Sequence, residues 1–250
     1  MKRRRGLVII AHRGASATAP ESTRAAIHEA VRAGAHMVEL DVQMTQDERL
    51  VVFHDERLER TTNGSGRVSA TRYARLARLD AGAWFHPRFA GERILLVSQA
   101  LRLVPRSMRI NLELKLTRRR RTLLDRLRQV VRRSRAGRRL VISSFDPRLL
   151  EPLRSHRLPV ALVCRADPDR SLAQAIRLRC SAWHPAQSLV TRRRIARAHA
   201  AGLAVRPWTV ETLRQARRLA RWGVDGVFTN HPARLSKLLT TSRREAQVVG

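Results

Sequence analysis

Cysteine is scarce in this 250-residue sequence, which contains only Cys164 and Cys180. Two thiols can form at most one disulfide bond, and they are too few for a zinc–thiolate cluster. A disulfide-rich secreted fold and a cysteine-based metal site are therefore both excluded. We expect the two cysteines to be small buried side chains of the core.

Long apolar runs are also missing. No uninterrupted apolar stretch is longer than the five residues at 7–11, whereas a membrane-spanning helix needs about 20. The basic residues at 1–5 are typical of a signal-peptide n-region, but His12 and Arg13 interrupt the apolar residues that follow. No small-residue cleavage site comes cleanly after them. We therefore expect an unprocessed, cytoplasmic protein.

Aromatic residues make up only 4% of the chain, while the formal net charge is +31. Only three of the 51 basic residues are lysines, so arginine carries almost all of the positive charge. The densest basic segment, 118–139, contains no aromatic residue, and proteins that bind single strands stack bases on aromatic side chains. We therefore predict solvated helix faces and no specific nucleic-acid site. The charge would still attract phosphates and anionic lipid surfaces weakly and in a salt-dependent way.

What the sequence has in quantity is alternation of short apolar strands with helical segments. We predict strands at residues 7–12, 37–42, 50–54, 109–116, 140–145, 160–164, 181–184, 204–209 and 226–229. We predict helices at residues 21–32, 71–79, 93–103, 119–136, 147–155, 170–178, 190–201, 211–222 and 232–240. This alternation and the chain length are typical of an α/β protein with a (β/α)8 TIM barrel.

The predicted strands exceed the eight that a barrel needs, so one is extra or is not a strand. The second and third are separated by too few residues for a helical crossover, and they run either parallel without a helix or as a hairpin. We expect one domain over residues 1–250, with a small insertion after the third strand at about 65–105 and a frayed tail at about 242–250.

Two predicted strands carry charged residues on one face. Glu39 and Asp41 are two residues apart, and Asn111, Glu113 and Lys115 follow the same spacing, so each set projects from one side of its strand. Buried like charges are costly unless a cation lies between them, and a divalent metal is the simplest such cation. Taken alone, the first pair fits a solvated edge strand and the second an internal salt bridge; both alternatives stay open at this point.

Other polar side chains lie at the ends of the predicted strands, where barrel enzymes place their catalytic residues. These are His12, Arg13, His54, Ser143, Ser144, His184 and Trp208. His54 can exchange a proton near neutral pH, and a proton donor beside a metal suggests hydrolysis. Taken singly, His184 is more simply a structural histidine and Trp208 a core residue.

Together these residues resemble the glycerophosphodiester phosphodiesterase family, a group of (β/α)8 barrels related in architecture to phosphoinositide-specific phospholipase C. The matching segments cover nearly the whole chain in the family's order. They are Ala-His-Arg-Gly-Ala at 11–15 with Pro-Glu at 20–21, Val-Glu-Leu-Asp-Val at 38–42, Val-Phe-His-Asp at 52–55 with Leu58 and Arg-Thr-Thr-Asn-Gly at 60–64, Asn-Leu-Glu-Leu-Lys at 111–115, Pro-Trp-Thr-Val at 207–210, and Gly-Val-Asp-Gly-Val at 223–227 before Thr229, Asn230 and Pro232. Six segments in this order and spacing are hard to obtain by chance.

The resemblance implies roles for the matching residues. Glu39, Asp41 and Glu113 match the family's metal carboxylates, an all-oxygen site suited to Ca²⁺ or Mg²⁺. His12 and His54 match its catalytic acid–base pair. Which histidine is the acid and which is the base stays open.

Three further residues match substrate-binding positions. Arg13 matches a phosphate-binding position, Lys115 would add a positive charge nearby, and Trp208 would offer an apolar wall to the glycerol portion. Two departures from the family pattern are present. Ser22 stands where the family usually has Asn, which affects support of the first loop. The usual Pro-Thr-Leu-Glu-Glu is Leu-Leu-Val-Ser-Gln at 95–99, which loses two acids near the mouth and leaves headgroup specificity open.

We therefore expect hydrolysis of a small-molecule glycerophosphodiester, such as glycerophosphocholine or glycerophosphoethanolamine, to glycerol 3-phosphate and an alcohol. Attack by the substrate's own 2-hydroxyl, through a cyclic phosphate, and direct attack by water both stay open. One alternative is a lysophospholipase D-type activity on membrane lysolipids, aided by weak contact with an anionic surface. Another is a catalytically silent barrel that binds polyanions or nucleic acid, and it rests on the net charge alone. No oligomeric state is predicted.

Overall fold

The structure is a computed structural model that describes residues 6–134, 136–156 and 158–236. Its strands are β1 (Val8–Ala11), β2 (Met37–Met44), β3 (Leu50–Val52), β4 (Arg109–Leu114), β5 (Leu140–Ser144), β6 (Val160–Cys164), β7 (Ala182–Pro185), β8 (Ala204–Val205) and β9 (Gly226–Thr229). Its α-helices are α1 (Arg24–Arg32), α2 (Tyr73–Leu76), α3 (Val97–Leu103), α4 (Arg120–Ser134), α5 (Pro147–Leu150), α6 (Pro168–Arg177), α7 (Arg192–Ala200) and α8 (Leu213–Trp222).

Eight of the strands form one parallel ring in the order β8-β7-β6-β5-β4-β2-β1-β9. Backbone hydrogen bonds join its two ends, since the amide of Asp225 donates to the carbonyl of Val205 at 2.9 Å. The amide of Phe228 donates to the carbonyl of Pro207 at the same distance. Helices connect the parallel strands, so the predicted (β/α)8 barrel is confirmed.

β3 is the extra strand. It pairs antiparallel with β2, with Val42 opposite Val52 and Met44 opposite Leu50. The second and third predicted strands therefore form a hairpin, and the parallel alternative is wrong. β8 is much shorter than predicted, partly because Pro207 has no amide hydrogen to extend the ladder.

The segment between β3 and β4 does not follow the alternation of strands and helices found in the rest of the barrel. It contains two 3-10 turns, Val68–Ala70 and Pro87–Phe89, and the single-turn helix α2 before it reaches α3. Val68 of the first turn and Leu76 of α2 belong to a small apolar cluster that is separate from the main core and also includes Phe53. The predicted helices at 71–79 and 93–103 are thus shorter in the structure than in the prediction.

Successive side chains of a strand point to opposite faces, so core residues and site residues alternate along β2. Val38, Leu40 and Val42 belong to the large apolar core that the helices cover, whereas Glu39 and Asp41 line a cavity at the mouth of the ring. Inside the ring, a second apolar layer closes the barrel below the site. It includes Ile10, Met37, Val141, Ala161, Ala182 and Phe228. The period of two predicted from the sequence therefore decides which side chains reach the cavity.

Several remaining predictions concern single features. Cys164 and Cys180 are buried and free, as expected. Within the described ranges, no helix is both long and apolar enough to cross a bilayer. Residues 232–236 are helical, while the rest of the helix predicted at 232–240 and the predicted tail at 242–250 lie outside the described residues. The single domain over 1–250 stays a prediction.

Candidate active site

Glu39, Asp41 and Glu113 meet at the carboxyl ends of β2 and β4. Asp41 and Glu113 are partners in the parallel register of the two strands. One carboxylate oxygen from each of the three residues lies within 4.8 Å of the other two. Glu39 and Asp41 are only 1% and 2% exposed. The structure thus brings together three acids from two strands. Because Glu39 and Asp41 are buried, the alternative that they lie on the solvated face of an edge strand is wrong.

Two cations share this cluster with the carboxylates. The ammonium of Lys115 lies 2.7 Å from both Asp41 Oδ1 and Glu113 Oε1, and Arg13 Nε lies 3.4 Å from Asp41 Oδ2. Burial acts to raise the pKa of Asp41, but Lys115 and Arg13 hold it below its usual value. The pKa of Lys115 is raised despite burial, because Asp41 and Glu113 stabilise its charge.

Glu39 is the least compensated of the three acids. Burial raises its pKa well above the usual value, and the carboxylates of Asp41 and Glu113 add to the effect. Glu39 Oε1 and Asp41 Oδ2 are buried and have no hydrogen-bond partner among the described residues. Buried carboxylate oxygens are costly without a compensating charge, and Ca²⁺ and Mg²⁺ take oxygen donors of this kind. The residues present therefore fit a divalent cation.

His12 lies directly after β1, at the edge of the carboxylate cluster. Its Nδ1 is 2.7 Å from Oδ1 of Asn230, and its Nε2 is 4.0 Å from Glu39 Oε2. Burial lowers the pKa of His12 to about 4, and the guanidinium of Arg13 adds to the effect. Its partner Asn230 follows β9; it belongs to the last matching segment but was not among the predicted site residues.

His54 enters the site from the loop after β3. Its Nδ1 is 2.6 Å from Oδ1 of Asp55. Burial lowers the pKa of His54, while the carboxylates of Asp41 and Asp55 oppose that effect. The hydrogen bond from Arg60 is the largest of the causes that lower the pKa of Asp55 to about 2. Asp55 is therefore an anion at neutral pH, and it limits, without reversing, the fall in the pKa of His54.

A chain of ion pairs joins the loops of the two histidines. Arg60 donates to Asp55 Oδ2 at 2.5 Å and to Glu21 Oε1 at 2.7 Å. Glu21 in turn accepts from Arg13 Nη1 at 2.9 Å. The sequence motifs contain Glu21 and Arg60, but their spacing alone does not predict that they pair across the site mouth.

Arg13 is positioned by its backbone as well as by its side chain. Its φ of 56° lies in the left-handed region, and its amide donates to Glu39 Oε2 at 2.8 Å. Ser22 is also left-handed, with φ of 64°, and its amide donates to the carbonyl of Arg13 at 2.9 Å. Asn adopts this region more readily than Ser, which explains the family's usual Asn at this position. Ser22 thus contacts the first loop through its backbone, and the effect of Ser in place of Asn on loop support stays a prediction.

Gly14 lies in the turn after β1 that also contains His12 and Arg13. Its φ is +83°, and an added Cβ would lie 2.7 Å from backbone atoms of Ala26. We expect Gly14→Ala to lower the free energy of unfolding by about 3 kcal/mol, since left-handed strain and overpacking add together. It should also lower kcat/KM, because the turn carries His12 and Arg13. Urea unfolding and steady-state kinetics measure the two effects.

Gly34→Ala is the matched control. Gly34 also has a positive φ, +67°, but nothing lies within 4 Å of its added Cβ. We expect a loss of about 1 kcal/mol from strain alone and no change in kcat/KM. Equal losses of stability in the two variants would contradict the close approach at Gly14.

All eight predicted site residues line one cavity of about 1300 Å³. Trp208 closes one wall, where its Nε1 donates to the carbonyl of His184 at 2.9 Å and its ring packs edge-on against Phe145 at 5.8 Å. The His184 ring is buried against Phe228 at 4.9 Å, and among the described residues its nitrogens have no hydrogen-bond partner. Burial lowers the pKa of His184 well below its usual value, so it is a neutral wall residue at neutral pH.

Ser143 and Ser144, the remaining polar residues at the predicted strand ends, form hydrogen bonds with the neighbouring strand β4. Asn111 donates to Ser143 Oγ at 2.8 Å, and Ser144 donates to the carbonyl of Leu114 at the same distance. Residues 95–99 do not line the cavity, since Leu95 and Leu96 lie beside β3 and α3 begins at Val97. The prediction that their lost acids lie near the mouth is therefore wrong.

Comparisons with known proteins agree with this geometry. Residues 12–234 match the family model of the glycerophosphoryl diester phosphodiesterase family. YhdW of Bacillus subtilis strain 168 is 35% identical over 90% of this chain and 95% of its own length. The glycerophosphodiester phosphodiesterase of Caldanaerobacter subterraneus subsp. tengcongensis is 32% identical over 93% of this chain and 97% of its own length.

A solved structure is also similar. A phosphodiesterase of Oleispira antarctica, in complex with the product sn-glycerol-3-phosphate, superposes with a TM-score of 0.87 at 30% identity, over 93% of this chain and 96% of the other. The match to the family model covers most of the chain and includes every predicted site residue. The chain therefore belongs to the glycerophosphoryl diester phosphodiesterase family and is a phosphodiesterase.

Proposed function

We propose that this phosphodiesterase uses a divalent cation and two histidines to hydrolyse glycerophosphodiesters, such as glycerophosphocholine and glycerophosphoethanolamine, to glycerol 3-phosphate and an alcohol. The observation that carries the proposal is one cavity in which His12 and His54 flank three converging carboxylates, two of them buried. The product sn-glycerol-3-phosphate in the complex of the Oleispira antarctica relative supports the glycerol side of the substrate.

The groups that bind the phosphate follow from the charges in the site. A divalent ion, Ca²⁺ or Mg²⁺, held by Glu39, Asp41 and Glu113 would supply a Lewis acid for a phosphate oxygen. Arg13 lies beside these acids with its guanidinium fixed by Glu21, and its planar fork suits two phosphate oxygens. Lys115 adds a positive charge, and Trp208 is the apolar wall for the glycerol carbons.

The environments of the two histidines support different roles. His12 is hydrogen-bonded to the neutral amide of Asn230, and its low pKa, about 4, leaves the ring unprotonated at neutral pH. We assign it as the base that removes a proton from the glycerol 2-hydroxyl or from water. The Asp55 carboxylate is bonded to His54 and opposes the lowering of the His54 pKa by burial, whereas the hydrogen-bond partner of His12 is the neutral Asn230 amide. We assign His54 as the acid that supplies a proton to the leaving alcohol.

Metal removal tests the proposal directly. Protein stripped with chelator, and shown to be metal-free by elemental analysis, should release glycerol 3-phosphate from glycerophosphocholine at least about 100-fold more slowly. Ca²⁺ or Mg²⁺ should restore the rate. Full activity in the verified metal-free protein would contradict the metal dependence, and no release with either ion from any diester would contradict the hydrolase function itself.

A lysophospholipase D-type activity is a second candidate, and Leu116 favours it. This residue is 69% exposed at the mouth of the cavity, two positions before Arg118. An exposed apolar side chain among cations suits contact with an anionic membrane surface. Release of choline from lysophosphatidylcholine in anionic vesicles, compared with release from soluble glycerophosphocholine, distinguishes the two substrates.

We also propose a cytoplasmic location. The apolar residues after the basic start form β1, which is hydrogen-bonded between β2 and β9 in the barrel. They are therefore part of the folded ring, which supports the expectation that they are not a cleavable segment. Cell fractionation followed by immunoblotting tests this proposal, and recovery with the secreted or membrane fraction would contradict it.

A further inference from the structure

The charges that line the active-site cavity are unevenly distributed. On the side formed by the segments after β1 and β3, the lining arginines Arg13 and Arg67 are paired with Glu21 and Glu56. On the opposite side, the segments after β4, β5 and β6, including the first turns of α4 and α5, contribute a second group of arginines, which we call the arginine rim. It consists of Arg118, Arg119, Arg120, Arg148 and Arg165.

The arginine rim has too few acidic partners to neutralise it. Arg148 and Arg120 share Asp146, at 2.8 and 3.8 Å. Arg119 pairs with Glu48, which also binds Arg126.

In the described part of the chain, the ion pairs of the rim involve Arg119, Arg120 and Arg148, and Arg118 and Arg165 form none. Five guanidinium groups therefore face two carboxylates, and the rim keeps a positive charge even though neighbouring acids are present. Both unpaired arginines are exposed to solvent, so their charges are available to a ligand in the cavity.

Arg165 is held against the wall that leads to the catalytic groups. Its guanidinium carbon lies 5.4 Å from the centre of the Phe145 ring, and Phe145 packs edge-on against Trp208. Stacking of this kind fixes a guanidinium in place and lowers the entropy lost when it binds an anion. The rim thus forms a continuous surface with the proposed glycerol wall.

The size of the cavity leaves room for a second group. Its volume of about 1300 Å³ exceeds the range of roughly 300–1000 Å³ that small-molecule sites usually span. Glycerol phosphate bound at the carboxylates would fill only part of it. The positive rim would repel a quaternary ammonium headgroup and attract a negative one.

We propose that the preferred substrates are glycerophosphodiesters whose alcohol portion carries a second phosphate, which the arginine rim binds. The inference rests on the proposed function and names its substrate class. Water adds across the P–O bond to the alcohol as before, and the products are glycerol 3-phosphate and a phosphorylated alcohol. A polyol phosphate, or the next unit of a phosphodiester oligomer, has this chemistry.

Three soluble diesters at fixed, near-physiological ionic strength test the proposal. They are glycerophosphoinositol 4-phosphate, glycerophosphoglycerol and glycerophosphocholine, whose alcohol portions are anionic, neutral and cationic. We expect kcat/KM for the phosphorylated diester to exceed that for the neutral one by about tenfold or more, with the choline diester slowest. In the double variant Arg118→Glu with Arg165→Glu, the ratio of the phosphorylated to the neutral diester should fall by about tenfold.

The matched control reverses the same number of charges outside the cavity. Arg132 on α4 and Arg217 on α8 are exposed and do not line the cavity. The double variant Arg132→Glu with Arg217→Glu should keep both the activity and the substrate ratio. Equal falls of the ratio in the two double variants would mean that the overall charge causes the preference, and would overturn the assignment to the rim.

Other outcomes also distinguish the inference from the proposed function. Hydrolysis of the choline diester as fast as the phosphorylated one overturns the inference and leaves the function intact. No hydrolysis of any diester overturns both. Activity that requires phosphatidylglycerol vesicles, with no preference among the soluble diesters, would assign the rim to a membrane surface and overturn the proposed substrate class.

Discussion

Glu39→Gln is expected to lower kcat/KM by about 10³-fold and, at the same time, to stabilise the metal-free protein. The loss of activity follows because the variant replaces one of the three converging carboxylates that fit a cation. The gain in stability follows because Glu39 is buried beside Asp41 and Glu113 and has one oxygen without a hydrogen bond. An amide removes the charge and keeps nearly the same shape.

The gain in stability depends on pH in a defined direction. The pKa of Glu39 in the folded, metal-free protein is raised well above its usual value of 4.5. Above pH 4.5 the folded state holds a proton that the unfolded state has lost, so stability is present below that pH and is lost as pH rises through the folded pKa. Glu39→Gln should therefore unfold at a higher temperature than the wild type at pH 8, and at a similar temperature at pH 4.

Calorimetry with chelator at the two pH values measures this difference. We expect roughly 2 kcal/mol at pH 8, which corresponds to about 4–8 °C for a chain of this size. Adding Ca²⁺ or Mg²⁺ should stabilise the wild type more than the variant. Glu151→Gln, at an exposed acid outside the cavity, is the control and should change neither stability nor activity. A variant that is active, or that unfolds earlier at pH 8, would contradict the account.

The convergence of Asp41 and Glu113 could be predicted from the sequence for a simple reason. Both residues lie on strands whose apolar neighbours alternate with polar ones, so the face of each strand follows from a period of two. In a parallel barrel the carboxyl ends of all strands meet at one mouth, so residues at those ends come together without knowledge of register. The same rule explains why His12 and Trp208 line the cavity.

The partners of these residues could not be predicted in the same way. His12 binds Asn230 across 218 positions of sequence, and Arg60 binds Glu21 across 39. Such contacts depend on the length of the side chains and the conformation of the loops. The alternation of apolar and polar residues in the sequence contains no information on either. The sequence also did not decide whether β3 runs parallel or antiparallel to β2. A connection of this length permits a hairpin, and it also permits an extended segment that runs back along β2 before a parallel strand.

Amino-acid composition alone does not identify the arginines of the rim. In the sequence, Arg118 and Arg165 are two among 48 arginines of a strongly basic chain. Only the fold distinguishes them, because it puts one after β4 and the other after β6, at the mouth of the same cavity. Net charge alone therefore predicts general attraction to anions, while the position of unpaired charges in the cavity suggests what the substrate carries.

The roles assigned to the two histidines predict a dependence on the leaving group. An alcohol such as choline leaves poorly without a proton, whereas p-nitrophenolate leaves without one. We expect His54→Ala to lower kcat/KM by about 10³-fold with glycerophosphocholine but by tenfold or less with the p-nitrophenyl diester of glycerol 3-phosphate. His12→Ala should lose about 10³-fold with both, because each reaction needs the base.

The pH profile gives a second readout of the same assignment. Asp55 stabilises the protonated ring of His54 through a 2.6 Å contact, so Asp55→Asn should lower the pKa of the acid. The fraction of protonated His54 then falls at a lower pH, and the alkaline limb of kcat/KM for glycerophosphocholine should move to lower pH in this variant. With the p-nitrophenyl diester the limb should not move. A p-nitrophenyl diester that rescues His12→Ala instead of His54→Ala would reverse the two roles, and equal losses of the two variants with both substrates would refute the division between acid and base.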